Sequence, residues 1–173
     1  MFIFSAVLNA EQGQKASFKA DTAVAFECYC DMVYRLAFLR TGNTADADDI
    51  MSEVFLRLVK NTHKIKSEEH LKAWLIRTAI NCSNTFFKRK KRINQVRITE
   101  IDAVYDMDDN SVLSAVLKLP NHQKTVIYMH YFEGYSVEEI AKLCSVAVGT
   151  VKSRLSRGRN ALKNTLKGEF LDV

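Results

Sequence analysis

Two stretches of this chain hold side chains whose types and spacing could do chemistry. The first lies between Ser136 and about Lys163. Ser136-Val137-Glu138-Glu139 has the form of a capping box, with Ser at the N-cap and Glu at N3. It predicts a short helix with Ile140, Ala141 and Leu143 facing inward. Cys144-Ser145-Val146-Ala147 reads as a tight turn, and Val148-Gly149-Thr150 opens a second helix. There Val151, Leu155 and Leu162 form an apolar stripe, with Lys152, Arg154, Ser156, Arg157, Arg159 and Lys163 outside it. A helix fits the DNA major groove, where Lys and Arg reach phosphates or the acceptor edge of guanine. A merely solvated basic face would show the same charge without a capped helix and turn before it. The three features together predict a helix-turn-helix that binds DNA.

The second stretch joins aromatic and basic residues. Trp74 sits among Lys64, Lys72 and Arg77, and Phe86-Phe87 runs into Lys88-Arg89-Lys90-Lys91-Arg92. Aromatic faces can stack on unpaired bases, and cations track phosphates. Trp74 and Phe86 also fit an apolar helix stripe and read as packed. Five consecutive cations exceed what a helix C-terminus needs from its dipole, which favours phosphate contact. A third cluster, Asp46, Asp48, Asp49 and Glu53, opens a helix. It could complement the helix dipole or dock a basic protein surface; composition does not decide. The three Asp residues crowd one turn with no distant carboxylate or His partner, which argues against a two-metal nuclease site.

The elements that must position these residues read as helices throughout. The 173 residues include one Pro and six Gly, too few for a β-sandwich, a collagen-like chain or a disordered one. Apolar residues recur at helical steps from Asp21 to about Arg40 (Val24, Cys28, Met32 or Val33, Leu36, Leu39), stopped by Thr41-Gly42-Asn43. Thr44 is expected to cap a second helix with the core stripe Ile50, Val54, Leu58. Ser67 is expected to cap a third, carrying Leu71, Trp74, Leu75, Thr78, Ala79, Cys82 and Phe86. A further helix from Ser111 to Leu119 stops at Pro120. The next carries Val126, Ile127, Met129, His130 and Phe132 on or near its buried face. Gly158 is expected to weaken the last helix locally.

Charge divides the chain in three. Residues 1–92 carry 15 basic and 10 acidic residues, a net of +5. Residues 93–117 carry 1 and 5, a net of −4, and residues 118–173 carry 9 and 5, a net of +4. A polyanion is attracted to the outer blocks and repelled by the middle. The expected organisation is all-α: an extension over 1–20, a helical domain over 21–92, a flexible acidic linker over 93–111 and a helix-turn-helix domain over 112–170. No apolar run approaches the ~20 residues of a membrane span. Phe2 to Leu8 is apolar but short and lacks a basic flank, so it does not read as a signal peptide. Scattered Cys28, Cys30, Cys82 and Cys144 suggest reduced, mostly buried thiols in a cytoplasmic protein.

In this order and spacing, the motifs resemble the extracytoplasmic-function (ECF) group of bacterial RNA polymerase sigma factors. The resemblance rests on Asp46-Ala47-Asp48-Asp49-Ile50 through Leu56, on Ala73-Trp74-Leu75-Ile76-Arg77 through Asn81, on Leu119-Pro120 through Gln123, and on Tyr131 through Ala141 followed by Val148 through Leu155. It implies that Asp46, Asp48, Asp49, Ile50, Glu53 and Val54 bind core RNA polymerase. It implies that His63, Lys64, Lys66, Lys72, Arg77, Asn81, Lys88, Arg89 and Lys91 contact the −10 element as it melts. Thr150, Lys152, Ser153, Arg154, Ser156 and Arg157 would read the −35 element. The helices before that reader would grip the polymerase flap. The implied partners are core RNA polymerase, promoter DNA and an anti-sigma protein, often membrane-bound. No cofactor, metal, small-molecule substrate or catalytic residue is implied. A stand-alone helix-turn-helix regulator is the alternative, but no heptad or exposed apolar helix stands out as a dimer interface.

Overall fold

The computed structural model describes residues 20–93 and 112–170. Helix α1 spans Thr22–Thr41. The Asp21 carboxylate caps it, accepting N–H bonds from Ala23 at 2.8 Å and Val24 at 3.3 Å. Gly42 ends it in the left-handed region, at φ 69°, and donates its N–H to the Phe38 carbonyl. Helix α2 spans Thr44–Asn61. Its cap is Asn43, whose carboxamide oxygen accepts the Asp46 N–H at 3.0 Å; Thr44, the expected cap, is already helical. A single 3-10 turn, Thr62–Lys64, leads to α3, Glu68–Ile93, with the Ser67 hydroxyl accepting from the His70 N–H at 3.1 Å.

These three helices enclose Val33, Leu36, Val54, Leu58, Leu75 and Ala79, all without solvent exposure. The buried stripe of α1 runs through Ala25, Met32, Val33, Leu36 and Ala37. Val24 (55% exposed) and Cys28, assigned to that stripe from sequence, face solvent. The stripe begins one residue later than the periodicity suggested, because α1 is apolar around much of its circumference.

The second unit comprises α4 (Val112–Leu117), α5 (Asn121–Tyr131), α6 (Val137–Cys144) and α7 (Val148–Phe170). Val126, Met129, Ile140 and Val151 are its fully buried side chains. Phe132, expected near the buried face of α5, lies just past the helix end and is 70% exposed. The last helix continues well past Lys163. Among the described residues there is no strand, and no helix is long and apolar enough to cross a membrane.

The two units touch. Helix α1 packs on α4 and α5, and α3 meets α6. Their buried apolar residues form one cluster running from Ala20 to Leu155. The expected extension falls outside the described residues up to position 19, as does the expected linker apart from Ile93, the last residue of α3.

Gly158 is buried where α7 crosses α5: a Cβ there would meet Ile127 Cγ1 at 3.2 Å and Cδ1 at 3.3 Å. It is therefore a close-approach residue as well as a helix-weakening one. Gly158→Val should destabilise the second unit by about 1–3 kcal/mol through overpacking, read from the chemical denaturation midpoint.

Candidate nucleic-acid interface

The helix-turn-helix is fixed from both sides of its turn. Ser136 Oγ accepts the Glu139 N–H at 3.2 Å, while Glu139 Oε2 accepts the Ser136 N–H at 2.8 Å, completing the capping box. The Ser136 hydroxyl, which donates to Glu139 Oε2 at 2.7 Å, and the Ser136 N–H hold the Glu139 carboxylate below its ordinary range. At the other end Ser145 takes a left-handed conformation, φ 54°, and the Val146 N–H reaches the Ala141 carbonyl at 3.0 Å. The chain reverses there, and α7 starts at Val148. Val151 and Leu155 anchor α7 inward, at 0% and 3% exposure. Lys152, Ser156 and Arg157 are exposed; Thr150, Ser153 and Arg154 are half-buried on the same helix.

His122, near the start of α5, was missed by the sequence reasoning. Its imidazole is held below its usual pKa by partial burial and by the nearby Arg154 and Arg157 guanidinium groups. It therefore sets an uncharged imidazole, which can still donate a hydrogen bond, beside the cationic surface of α7. No periodicity could have revealed this, because the proximity comes from the α5–α7 crossing at Gly158.

A second cationic surface follows α3. Arg77, Asn81, Lys88 and Lys91 recur at steps of four, seven and three, which places them on one helix face. All four are exposed, as is Arg89 beside them. His63, Lys64 and Lys66 are exposed on the preceding turn, which Ile65 (3% exposed) pins to the core. Trp74 and Phe86 are half-buried and packed against the core, as read from the sequence. Lys72 stands apart. It points to the other unit, where its Nζ lies 3.2 Å from Glu133 Oε2 and 5.3 Å from the centre of the Tyr135 ring.

The acidic edge of α2 is less uniform than its sequence. Asp46 is half-buried and lies 3.4 Å from Lys90 Nζ of α3, while Glu53 bonds Arg57 at 2.7 Å. Asp48 and Asp49 are exposed. Ile50 and Val54 are corrected: at 3% and 0% exposure they belong to the core and seat α2 rather than offering a contact surface. The exposed apolar residues on this helix are instead Leu56 and Val59, at 58% and 57%. Their signal was available, since both fall off the 50–54–58 stripe. Asp49, Ser52, Glu53, Leu56, Phe86 and Arg89 line a groove of about 400 Å³ between α2 and α3. Its wall is acidic on the α2 side, basic on the α3 side and apolar beneath.

The family model for Sigma-70 region 2 matches residues 25–93, and that for Sigma-70 region 4 matches residues 109–162. The chain is 29% identical over 187 residues to the ECF RNA polymerase sigma factor SigW of Bacillus subtilis (strain 168), covering 96% of this chain and 98% of that one. It is 30% identical over 175 residues to the ECF RNA polymerase sigma factor SigE of Mycolicibacterium smegmatis, covering 94% of this chain and 67% of that one. Two solved structures share the fold. One is the sigma factor RpoE in complex with the anti-sigma factor NepR from Bartonella quintana (TM-score 0.70, 23% identity, 82% of this chain and 94% of that one). The other is CnrH in complex with the cytosolic domain of CnrY (TM-score 0.61, 20% identity, 95% of this chain and 96% of that one).

Burial holds the His122 pKa down first and the Arg154 and Arg157 charges add to it, so Arg154→Ala/Arg157→Ala should raise it part of the way toward the ordinary value. The imidazole titration followed by NMR measures this directly, and an unchanged midpoint would separate His122 from the α7 surface.

Proposed function

Because this chain belongs to the ECF RNA polymerase sigma factors, we propose a division of its work between the two helical units. The chain directs RNA polymerase to promoters and takes part in transcription initiation. In this reading residues 21–92 dock on core polymerase and engage the −10 element. Residues 112–170 read the −35 element, and 93–111 connect the two. The observation that carries it is the segregation on α7, where Val151, Leu155 and Gly158 are buried while Lys152, Ser156 and Arg157 face solvent.

At the −35 element, Lys152, Ser156 and Arg157 would enter the major groove, with His122 and Arg154 on the flanking phosphates. At the −10 element, Arg77, Asn81, Lys88 and Lys91 would follow the displaced strand, with His63, Lys64 and Lys66 at its edge. Binding energy gathered along these rows offsets the few kcal/mol needed to unstack a base. Asp48, Asp49 and Glu53, with Leu56 and Val59 beside them, would dock on polymerase. A mixed apolar and acidic edge suits a partner helix with basic flanks. We assign the chain no catalytic step and place it in the cytoplasm, where its template lies. An anti-sigma protein is a further expected partner, since the two structural relatives named above are such complexes.

Transcription from a genomic template library with purified core polymerase, followed by start-site mapping, tests the whole reading. Addition of the chain should create new start sites sharing −10 and −35 sequences; their absence would overturn it. Asp49→Lys/Glu53→Lys should weaken core polymerase binding about tenfold or more, a change of at least ~1.4 kcal/mol, with helix content unchanged. At a mapped promoter, Arg157→Ala should lower the salt dependence of −35 duplex binding by about one counterion, as titrations in rising salt would report.

A further inference from the structure

The seam between the two units carries an apolar groove of about 380 Å³. Its floor is Leu39 of α1, Val116 of α4 and Ile127 of α5, all buried. Its rim is Val112 and Leu113 of α4 and Phe132 just past α5, at 59%, 38% and 70% exposure. The Phe132 ring stacks on Tyr128 with 5.8 Å between centroids, so the rim is ordered before anything arrives. Among the described residues of the lining only Arg35 is charged, and its guanidinium lies 3.9 Å from Asp31. Monomeric chains seldom leave a large contiguous apolar surface open to water. A lining of this kind selects an occupant that is apolar and uncharged, since a charged one would lose its hydration without a partner.

The chain itself holds such a segment. Residues 2–8 include Phe2, Ile3, Phe4, Val7 and Leu8, and the first charged side chain is Glu11. The stretch after α7 is only Leu171, Asp172 and Val173, with a carboxylate in its middle. Residues 9–19 are mostly polar, with Gly13 among them, a composition that suits a tether. The fixed end of that tether is Ala20, buried two residues before α1 begins. Arg35 and Leu39 lie about 20 to 26 Å along the helix axis from Thr22. Eleven extended residues reach about 36 Å, and a flexible tether of that length has a root-mean-square span of about 18 Å. Tether and distance are well matched, which sets the effective concentration of the segment at the groove on the order of millimolar. A second copy would have to bind from bulk solution. A groove of about 380 Å³ admits a few side chains, not the roughly 800 Å² per partner of a stable interface.

We infer that residues 2–8 are an intramolecular ligand of this groove, with Phe4 and Leu8 as anchors over Val112, Leu113 and Phe132. The inference involves neither polymerase nor DNA, so it stands or falls apart from the function proposed above. Nuclear Overhauser effects in the free full-length chain test it directly. The Phe2 and Phe4 rings should show cross-peaks to the methyl groups of Val112, Leu113 and Ile127. Their intensity per labelled chain should be unchanged when labelled protein is diluted tenfold with unlabelled protein. Absence of the cross-peaks would overturn the inference. So would cross-peaks that fade on dilution, which would assign the groove to a second copy.

A competition measurement reads the same contact by affinity. The probe is a fluorescent peptide of residues 1–12, titrated into wild type and into a Phe4→Asp/Leu8→Asp chain, whose substitutions lie outside both folded units. The double variant should bind the peptide at least about tenfold more tightly than wild type, because its own segment no longer competes for the groove. Adding Leu113→Asp, at the exposed rim, to the double variant should abolish that gain while helix content stays unchanged. Equal affinity of wild type and the double variant would overturn the inference, as would a gain that survives Leu113→Asp.

Discussion

Helix α1 has more apolar surface than one partner can cover. Its sequence carries Ala, Val, Phe, Tyr, Met and Leu around most of the circumference, with polar residues in the minority. A helix of that kind is stable only when buried on more than one side. Helices α2 and α3 take the face made by Val33, Leu36 and Ala37, and α4 and α5 take the side near Phe38 and Leu39. The whole architecture follows from this double demand. The first unit condenses around one side of α1, and the second unit has a docking surface on the other. An apolar groove of about 380 Å³, lined by Leu39, Val112, Val116, Ile127 and Phe132, marks where that second contact is incompletely filled.

The same constraint explains why charge lies in the seam. Arg40 occupies the last turn of α1, where a cation complements the helix dipole. When α1 is covered on both sides, Arg40 is carried inward and burial lowers its pKa to about 10, although it stays charged at neutral pH. Burial, with Arg40 nearby, also lowers Lys124 to about 8. Replacing such a group with an apolar one of similar size is often neutral or stabilising, so its presence weakens this contact relative to a purely apolar seam.

Much of this was legible in the sequence because helices announce themselves locally. The capping box at Ser136, the stop at Gly42 and the 50–54–58 stripe each depend on residues a few positions apart, and each is present in the structure. The exposed cationic rows on α3 and α7 were legible for the same reason. Long-range contacts were not. The Arg40–Thr125 bond spans 85 positions, and nothing near Arg40 signals it. His122 and Lys72 acquire their surroundings only when α5 crosses α7 and when α3 meets the second unit. Phe132 failed differently: its spacing fits the α5 stripe, but the helix ends at Tyr131 and the turn swings the ring outward.

Ile50 and Val54 show why a motif match and a contact surface are different things. Both stand inside the acidic segment that carries the family resemblance, and both are needed there. Their burial sets the rotation of α2, and that rotation presents Asp48 and Asp49 to solvent together with Leu56. A motif therefore mixes residues that touch a partner with residues that aim them, and spacing alone does not sort the two. Burial does. Applied to the basic residues of α3, the same criterion separates Lys72 from the row at Arg77, Asn81, Lys88 and Lys91. That row is open to any polyanion that approaches, whereas Lys72 already stands 3.2 Å from Glu133 of the second unit.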